Sequence, residues 1–429
     1  MQLVYNLGIL VFTFLVHILS PFNEKASLWV KGRKGWKERL AAKIKPGEKY
    51  FWIHCASLGE FEQGRPVIEA LKKEMPDMKL VVSFFSPSGY EIRKNYQQAD
   101  IICYLPADTQ ANAVKFIELF NPIAVIFVKY EFWNNYISEL HRRQIPLYLV
   151  SGIFRPGQHF FRWYGSFFRK MLEKFTRIFV QDKQSLNLLN SIGITDAMAA
   201  GDTRFDRVRQ IASSTRDLRE LEQFRGGEKL FIAGSSWKQD EEIIAGYINS
   251  FPEKMKWVFA PHEIDTQNIE RLESLFKVKT VRYSQFTLAS ADARVLIIDN
   301  IGMLSSAYRY AWIAAIGGGF GKGIHNILEP ACWGIPVMFG PRYDKFMEAI
   351  DLINEKAAES FDSSARFSEI LDGWLMNEDL YRESAGKCAS YVNRNTGATE
   401  KIMQELRLRI NSYYNILNDP GNPAYLTKA

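Results

Sequence analysis

Cysteine is scarce, with four residues in 429 (Cys55, Cys103, Cys332 and Cys388) and none in a CxxC or Cys/His ligand spacing. No zinc site is expected, and the thiols read as reduced and structural. Short-period repeats and low-complexity tracts are also missing, which sets solenoids and collagen-like chains aside. With 47% hydrophobic and 24% charged residues, the chain is neither disordered nor polytopic in a membrane. Its length fits two or three domains at roughly 100–200 residues each. Charge is absent altogether from residues 1–23, whereas residues 24–49 hold nine basic side chains against three acidic ones. Taking these from the totals of 54 and 48 leaves 45 basic and 45 acidic residues beyond position 49. The net charge of +6 is therefore a local collar, and a neutral body argues against nucleic acid as a partner.

The uncharged stretch contains one apolar run, residues 3–19, roughly 26 Å long as a helix against a hydrocarbon core of about 30 Å. Positive charge follows the run instead of preceding it, so an uncleaved anchor is expected in place of a signal peptide. The positive-inside bias then puts the body on the cytoplasmic side, with the collar near anionic lipid. A helix buried against a partner is the alternative, because Asn6 and His17 interrupt the run and Pro21 ends it.

From residue 50 the chain alternates short β-rich apolar runs with amphipathic stretches, the signature of parallel α/β sheets. Strands are expected at 50–54, 80–84, 101–104, 124–128, 147–150 and 178–181. A charge-dense segment near 207–228, ending in Gly226-Gly227, reads as a linker containing a helix. The alternation restarts with strands at 230–233, 256–260, 279–281, 295–298, 312–316 and 337–339. Two Rossmann-like doubly wound domains with loops facing a cleft follow from this pattern.

The densest motif spans residues 315–341, AIGGGFGKGIHNILEPACWGIPVMFGP. Gly317-Gly318-Gly319, Gly321 and Gly323 let backbone amides approach an anion, Lys322 adds a charge, and His325-Asn326 are expected to open a helix. Glu329 within that helix can accept from both hydroxyls of a ribose. The motif has neither the Gly-Lys-Ser/Thr of a Walker loop nor G-x-G-x-x-G with a downstream acid, so ATP hydrolysis and hydride transfer both lose ground. Gly234-Ser235-Ser236-Trp237 forms a second loop suited to phosphate or carboxylate, with plain helix capping as its ordinary reading. Pro261-His262 and Ile301-Gly302-Met303 follow two further strands, the latter offering backbone groups to a pyrimidine edge.

In the first half, Glu60 lies in the turn His54-Cys55-Ala56-Ser57-Leu58-Gly59-Glu60 before a helix expected near Gly64. There it can act as a general base. Glu131 follows another strand between aromatics; structural pairing with Lys129 or Arg155 is its alternative role. Residues 154–177 interleave aromatic and basic side chains, and the spacing Phe160, Trp163/Tyr164, Phe167, Met171, Phe175 reads as one helical stripe facing a core, or as a membrane-proximal surface.

These motifs together resemble the Kdo (3-deoxy-D-manno-octulosonic acid) transferases: SLGEFEQ, EFWNN, GDTRFD, AGSSW, the Pro261-His262 loop, DNIGML and GIHNILEPACWGIPVMFGP. The resemblance implies a GT-B architecture and inverting transfer of Kdo from CMP-Kdo to a lipid A precursor (lipid IVA) at the bacterial inner membrane. No cofactor and no catalytic metal are implied. Carried over by motif, Glu60 is the base and Glu131 and Arg204 stabilise the transition state. Pro261, His262, Ile301, Gly302, Met303 and Asn326 through Glu329 (with Ile327 and Leu328) are, by the same resemblance, CMP contacts, and Gly234, Ser235, Ser236, Gly318, Lys322 and His325, read from their loops, are candidate substrate contacts. The implied layout is an anchor at 1–23, a basic segment at 24–49, domains at 50–206 and 229–400 joined by the linker, and a helix and tail at 401–429 returning to the first domain. Lys129 stands where the family has an acid, Ser151-Gly152-Ile153 where it has Asn-Ala-Arg, with Arg155 as the substitute guanidinium. Ile324 replaces a glycine and Arg204 a lysine. A UDP-sugar transferase, a silent nucleotide-sugar scaffold and a two-domain dehydrogenase are the alternatives.

Overall fold

The computed structural model describes residues 1–45 and 47–418. The chain divides into two compact units, Met1–Arg207 with Gly397–Ala429, and Val208–Thr396. The first is built on seven strands, β1 (Tyr50–Cys55), β2 (Lys79–Phe84), β3 (Ile101–Tyr104), β4 (Ala124–Val128), β5 (Leu147–Gly152), β6 (Arg177–Val180) and β7 (Ala197–Ala199). They pair in parallel in the order β3-β2-β1-β4-β5-β6-β7. Parallel pairing requires a crossover after each strand, and the crossover helices cover both faces. Alternate residues accordingly enter two cores: Tyr50, Trp52, Val125 and Phe127 one, Phe51, Ile53, Ile126 and Val128 the other. Burial on both faces is why these strands read as continuous apolar runs.

The second unit repeats the plan with β8 (Leu230–Ser236), β9 (Lys256–Pro261), β10 (Thr280–Arg282), β11 (Val295–Ile297), β12 (Ile313–Ile316), β13 (Val337–Phe339) and β14 (Ala358–Ser360). Its order is β10-β11-β9-β8-β12-β13-β14, again all parallel. In each sheet the strand order reverses once, beside β1 and β4 in the first and beside β8 and β12 in the second. Loops at the carboxyl ends diverge there and leave a crevice. Strands β7 and β14 were not expected from sequence; both are three-residue edge strands with no alternation to betray them.

Residues 207–228, expected as a linker, lie largely in the helices Thr203–Ser213 and Arg219–Arg225, with Leu221 and Phe224 buried. The C-terminal helix Ala398–Asn418 belongs to the first unit. Asp206 accepts from the Gly397 and Thr399 amides at 2.6 Å each, satisfying donors at that helix's start. Ile402, Met403 and Leu406 then enter the core at no more than 1% exposure, each contributing about 1.5–3 kcal/mol.

The helix Gln2–Leu19 is long and apolar enough to cross a membrane, with a mean hydropathy of 1.9. It also rests on the first unit: Tyr5, Asn6, Ile9, Thr13 and Val16 are partly covered, while Leu3, Leu7, Leu10, Phe14 and Ile18 are exposed. Both sets follow helical spacing, so one stripe is docked and another is open. The aromatic segment after β5 corrects an expectation, because it is not one helix. A 3₁₀ turn His159–Phe161 precedes a helix at Ser166–Leu172; Phe160, Met171 and Phe175 are buried, but Trp163 is 91% exposed. All four cysteines are free thiols. Burial pushes Cys103, Cys332 and Cys388 up to about 12, and Cys55 well above its ordinary value.

Candidate active site

The helix expected near Gly64 begins at Leu58 and runs to Glu74. Glu60 is therefore in its first turn and not in a preceding loop, and the Ser57 hydroxyl donates to Glu60 Oε2. The carboxylate is half-buried at the carboxyl end of β1. Glu131 follows the adjacent strand β4 and is 7% exposed. Both acids thus stand at the point where the first sheet reverses its order.

The alternative reading pairs Glu131 with Lys129 or Arg155, whereas the structure bonds it to a residue of β1. Its partner is His54, the last residue but one of β1 and fully buried, with Nε2 at 3.0 Å from Glu131 Oε2. Trp133 Nε1 donates to the same oxygen at 2.5 Å. Behind His54 the bonding continues: Trp52 Nε1 donates to Ser83 Oγ at 2.7 Å, and Ser83 Oγ lies 2.9 Å from His54 Nδ1. His54 thus bridges the two strands' partners: Nδ1 faces Ser83 Oγ and, at 3.1 Å, the Ser83 carbonyl, and Nε2–H donates to the Glu131 carboxylate. Sequence gave His54 no role of its own, because its partners on β2 and after β4 are remote along the chain.

Arg204 opens the helix Thr203–Ser213, and its guanidinium is held by Asp202, with Nε at 2.8 Å and an Nη at 2.7 Å from Oδ2. Thr203 Oγ1 donates to Gln63 O at 2.5 Å and meets Ser151 Oγ at 3.1 Å, tying this turn to β5 and to the Glu60 helix. Lys129 (φ 68°) and Ser151 (φ 56°) adopt left-handed backbone at the ends of β4 and β5, as Ser235 (φ 50°) does in β8. Such strain in non-glycine residues gathers where surrounding structure fixes a functional geometry.

In the second unit, Ser235, Gly302, His325, Asn326 and Glu329 line a pocket of about 240 Å3 with Tyr308, Ser305, Leu304, Ile316 and Ile211. Tyr308, Ser305 and Trp237 went unassigned in the sequence. The Trp237 ring stacks on His262 at 4.5 Å, His262 stacks on His325 at 4.6 Å, and Trp237 Nε1 donates to His325 Nε2 at 3.0 Å. That bond needs neutral His325, and burial, then the neighbouring His262, holds its pKa below the ordinary value. Asn326 Nδ2 donates to Glu329 Oε1 at 3.0 Å, while Asn326 Oδ1 accepts from the Leu328 amide at 3.2 Å.

Other expected contacts are placed differently. The helix after His325-Asn326 is a single turn, Leu328–Ala331, so it contributes little macrodipole to an anion. Ile327 and Leu328 are core side chains, and Ser236 is buried with its hydroxyl donating to Glu241 Oε1 at 2.8 Å. Gly234 and Pro261 belong to β8 and β9. Lys322 and Ile301 are exposed, and Met303 caps the helix Leu304–Ala307. The triple glycine serves close packing more than an open cradle. A Cβ on Gly319 would lie 2.6 Å from the Gly340 backbone, and Gly318, at φ 95°, donates its amide to Asp240 Oδ2 at 3.1 Å. Gly319→Ala is expected to destabilise the protein by about 3 kcal/mol; an unchanged thermal midpoint would refute the packing argument.

Asp240 also accepts from the Trp237 amide at 3.0 Å, and burial pushes its carboxyl up to about 6. A raised acid contributes stability that is fully present below its unfolded value and is lost as pH rises from there through about 6. Relative to Asp240→Asn, the native chain should lose about 2 kcal/mol between pH 4 and pH 7. Unfolding midpoints of the two across that range would test it, and parallel curves would dismiss the assignment.

The family described as Glycos_transf_N: 3-Deoxy-D-manno-octulosonic-acid transferase (kdotransferase) matches residues 34–207. A 3-deoxy-D-manno-octulosonic acid transferase of Rickettsia felis is 26% identical over 385 residues, covering 86% of this chain and 81% of the relative. One from Aquifex aeolicus is 28% identical over 317 residues, covering 72% and 80%. Over most of its length the chain is similar to the Kdo transferases. Among solved structures, a UDP-GlcNAc 2-epimerase from Neisseria meningitidis bound to UDP-GlcNAc superposes with a TM-score of 0.59 at 16% identity, covering 84% of this chain and all of that one. That likeness is one of fold, and the architecture is GT-B. The family match ends at Arg207 and so contains Glu60, Glu131, His54 and Arg204. The reversal of strand order that frames these residues recurs in the second unit, around Ser235 and His325.

Proposed function

We propose that the chain is an inverting glycosyltransferase that moves Kdo from CMP-Kdo to a lipid A precursor, lipid IVA, at the cytoplasmic face of the bacterial inner membrane. The observation that carries this reading is the placing of Glu60 and Glu131 on adjacent strand ends where the first sheet reverses. Glu60 takes the proton of the acceptor hydroxyl, that oxygen bonds to the anomeric carbon of Kdo, and the bond to the CMP phosphate breaks with its electron pair leaving on CMP. Glu131, held by His54 and Trp133, and Arg204, held by Asp202, are fixed charges whose orientation needs no rearrangement during reaction. Asn326 and Glu329 supply polar atoms for the ribose, Ser235 a hydroxyl for the phosphate, and the 301–303 loop backbone groups for the base.

The basic collar and the exposed stripe of the first helix support membrane attachment, and the positive-inside bias supports the cytoplasmic side. Mass analysis of the lipid formed from CMP-Kdo and a tetraacyl lipid A precursor tests the reading. A product heavier by whole Kdo residues is expected. Turnover with a UDP-sugar and none with CMP-Kdo would overturn it.

A further inference from the structure

The helix Gln2–Leu19 is bonded to the segment that carries Glu131, by two separate routes. The first is polar. The Tyr5 hydroxyl accepts from the Asn134 amide at 3.2 Å and donates to Asp108 Oδ2 at 2.5 Å. Asp108, 1% exposed, accepts from the amides of Asn135 (3.1 Å) and Tyr136 (3.1 Å). These are the first amides of the helix Asn134–Arg142, whose own N-cap residue, Trp133, supplies no side-chain bond. Donors at a helix start need acceptors when they are buried, and here the acceptors come from Tyr5 and Asp108. Asn135 adds two bonds to the same helix, Nδ2 to Asn6 Oδ1 at 3.0 Å and Oδ1 from Gln2 Nε2 at 3.3 Å.

The second route is aromatic. Phe12 packs on Phe85 at 6.0 Å, Phe85 packs on Trp133 at 4.5 Å, and Trp133 donates to Glu131. A helix serving only as a tether has no need of polar side chains bonded into a buried loop. These partners, Asn134 and Asn135, are 1% and 4% exposed.

We infer that the N-terminal helix is a working part of the first unit, and that Tyr5 is a positioning residue which sets the start of the Asn134–Arg142 helix and thereby the carboxylate of Glu131. The inference rests on the proposed role of Glu131. It separates two duties of one element: attachment through the open stripe Leu3, Leu7, Leu10, Phe14 and Ile18, and site assembly through Tyr5, Asn6 and Phe12. A chain held at the membrane by a foreign helix is then attached but slow.

The test uses the full chain on vesicles containing anionic phospholipid, with CMP-Kdo and a tetraacyl lipid A precursor. Tyr5→Phe keeps the ring against Phe167 and removes both hydrogen bonds. It is expected to lower kcat about tenfold, with the KM for CMP-Kdo and flotation with the vesicles unchanged. Exchanging residues 1–22 for an unrelated apolar helix should retain flotation and lose turnover at least as severely. Grafting Tyr5, Asn6 and Phe12 back into the exchanged helix should restore part of kcat, which a merely structural or tethering role would not do. Native kcat in Tyr5→Phe or in the exchanged chain overturns the inference, as does a graft that recovers nothing. Glu131→Gln is measured beside them. Native turnover there overturns the role of Glu131 itself, whereas a dead Glu131→Gln with a native Tyr5→Phe overturns only the part given to the helix.

Discussion

Glu60→Gln lowers kcat for sugar transfer by about 10³-fold, within the span of a lost general base, and leaves the thermal midpoint where it was. The second half of that expectation comes from its setting. Glu60 is half-buried in the first turn of the Leu58–Glu74 helix, and Ser57 is the side chain that bonds it. Glutamine keeps an acceptor for the Ser57 hydroxyl and removes the site that takes up a proton. CMP should protect the variant from thermal unfolding as it protects the native chain, because the candidate nucleotide contacts all lie in the other unit. Initial rates with CMP-Kdo and lipid acceptor measure the effect. Turnover near the native rate would take the base role from Glu60.

His54→Ala produces a different pattern, in which fold and rate fall together. His54 is fully buried and gives Glu131 one of its hydrogen bonds; Trp133 gives another. Losing a hydrogen bond to a charged group costs about 1.5–3 kcal/mol, and the cavity left by the ring adds to it. Turnover should fall about 10²-fold, in line with a misplaced charge in a preorganised site. His54→Gln, which can still donate toward the carboxylate, should recover part of both. Thermal midpoints and kcat of the two variants decide it, and a native kcat in His54→Ala would release His54 from any part in holding Glu131.

These two residues mark how far the site was legible in the sequence. Glu60 could be found because a parallel sheet sends every strand's carboxyl end to the same edge, so a carboxylate just after a β-rich run falls near the crevice. His54 sits one residue inside that edge, and its meaning comes from Ser83, its register neighbour on β2, and from Glu131, 77 positions away. No local pattern carries such information. The same limit applies to Trp237, whose stacking on His262 and His325 needs three loops brought together by strand order. Most strands were legible as apolar runs because they are buried on both faces, whereas the AMA and AES of the edge strands β7 and β14 carry no such signal. The start of the Glu60 helix was hidden by Gly59, Gly64 and Pro66, residues of low helical propensity that tertiary packing overrides. The triple glycine was found for one reason and is used for another, since its lack of side chains admits neighbouring backbone.

The four thiols have a practical consequence. A group pushed up to about 12 is ionised in roughly one molecule in 10⁵ at neutral pH, and alkylating reagents attack the thiolate. The native chain should therefore stay nearly unlabelled by maleimide while folded. It offers a dark background for spectroscopy, in which one cysteine introduced on the surface of each unit could carry a donor and an acceptor dye. The separation of the two units could then be followed with and without nucleotide, with every native cysteine left in place.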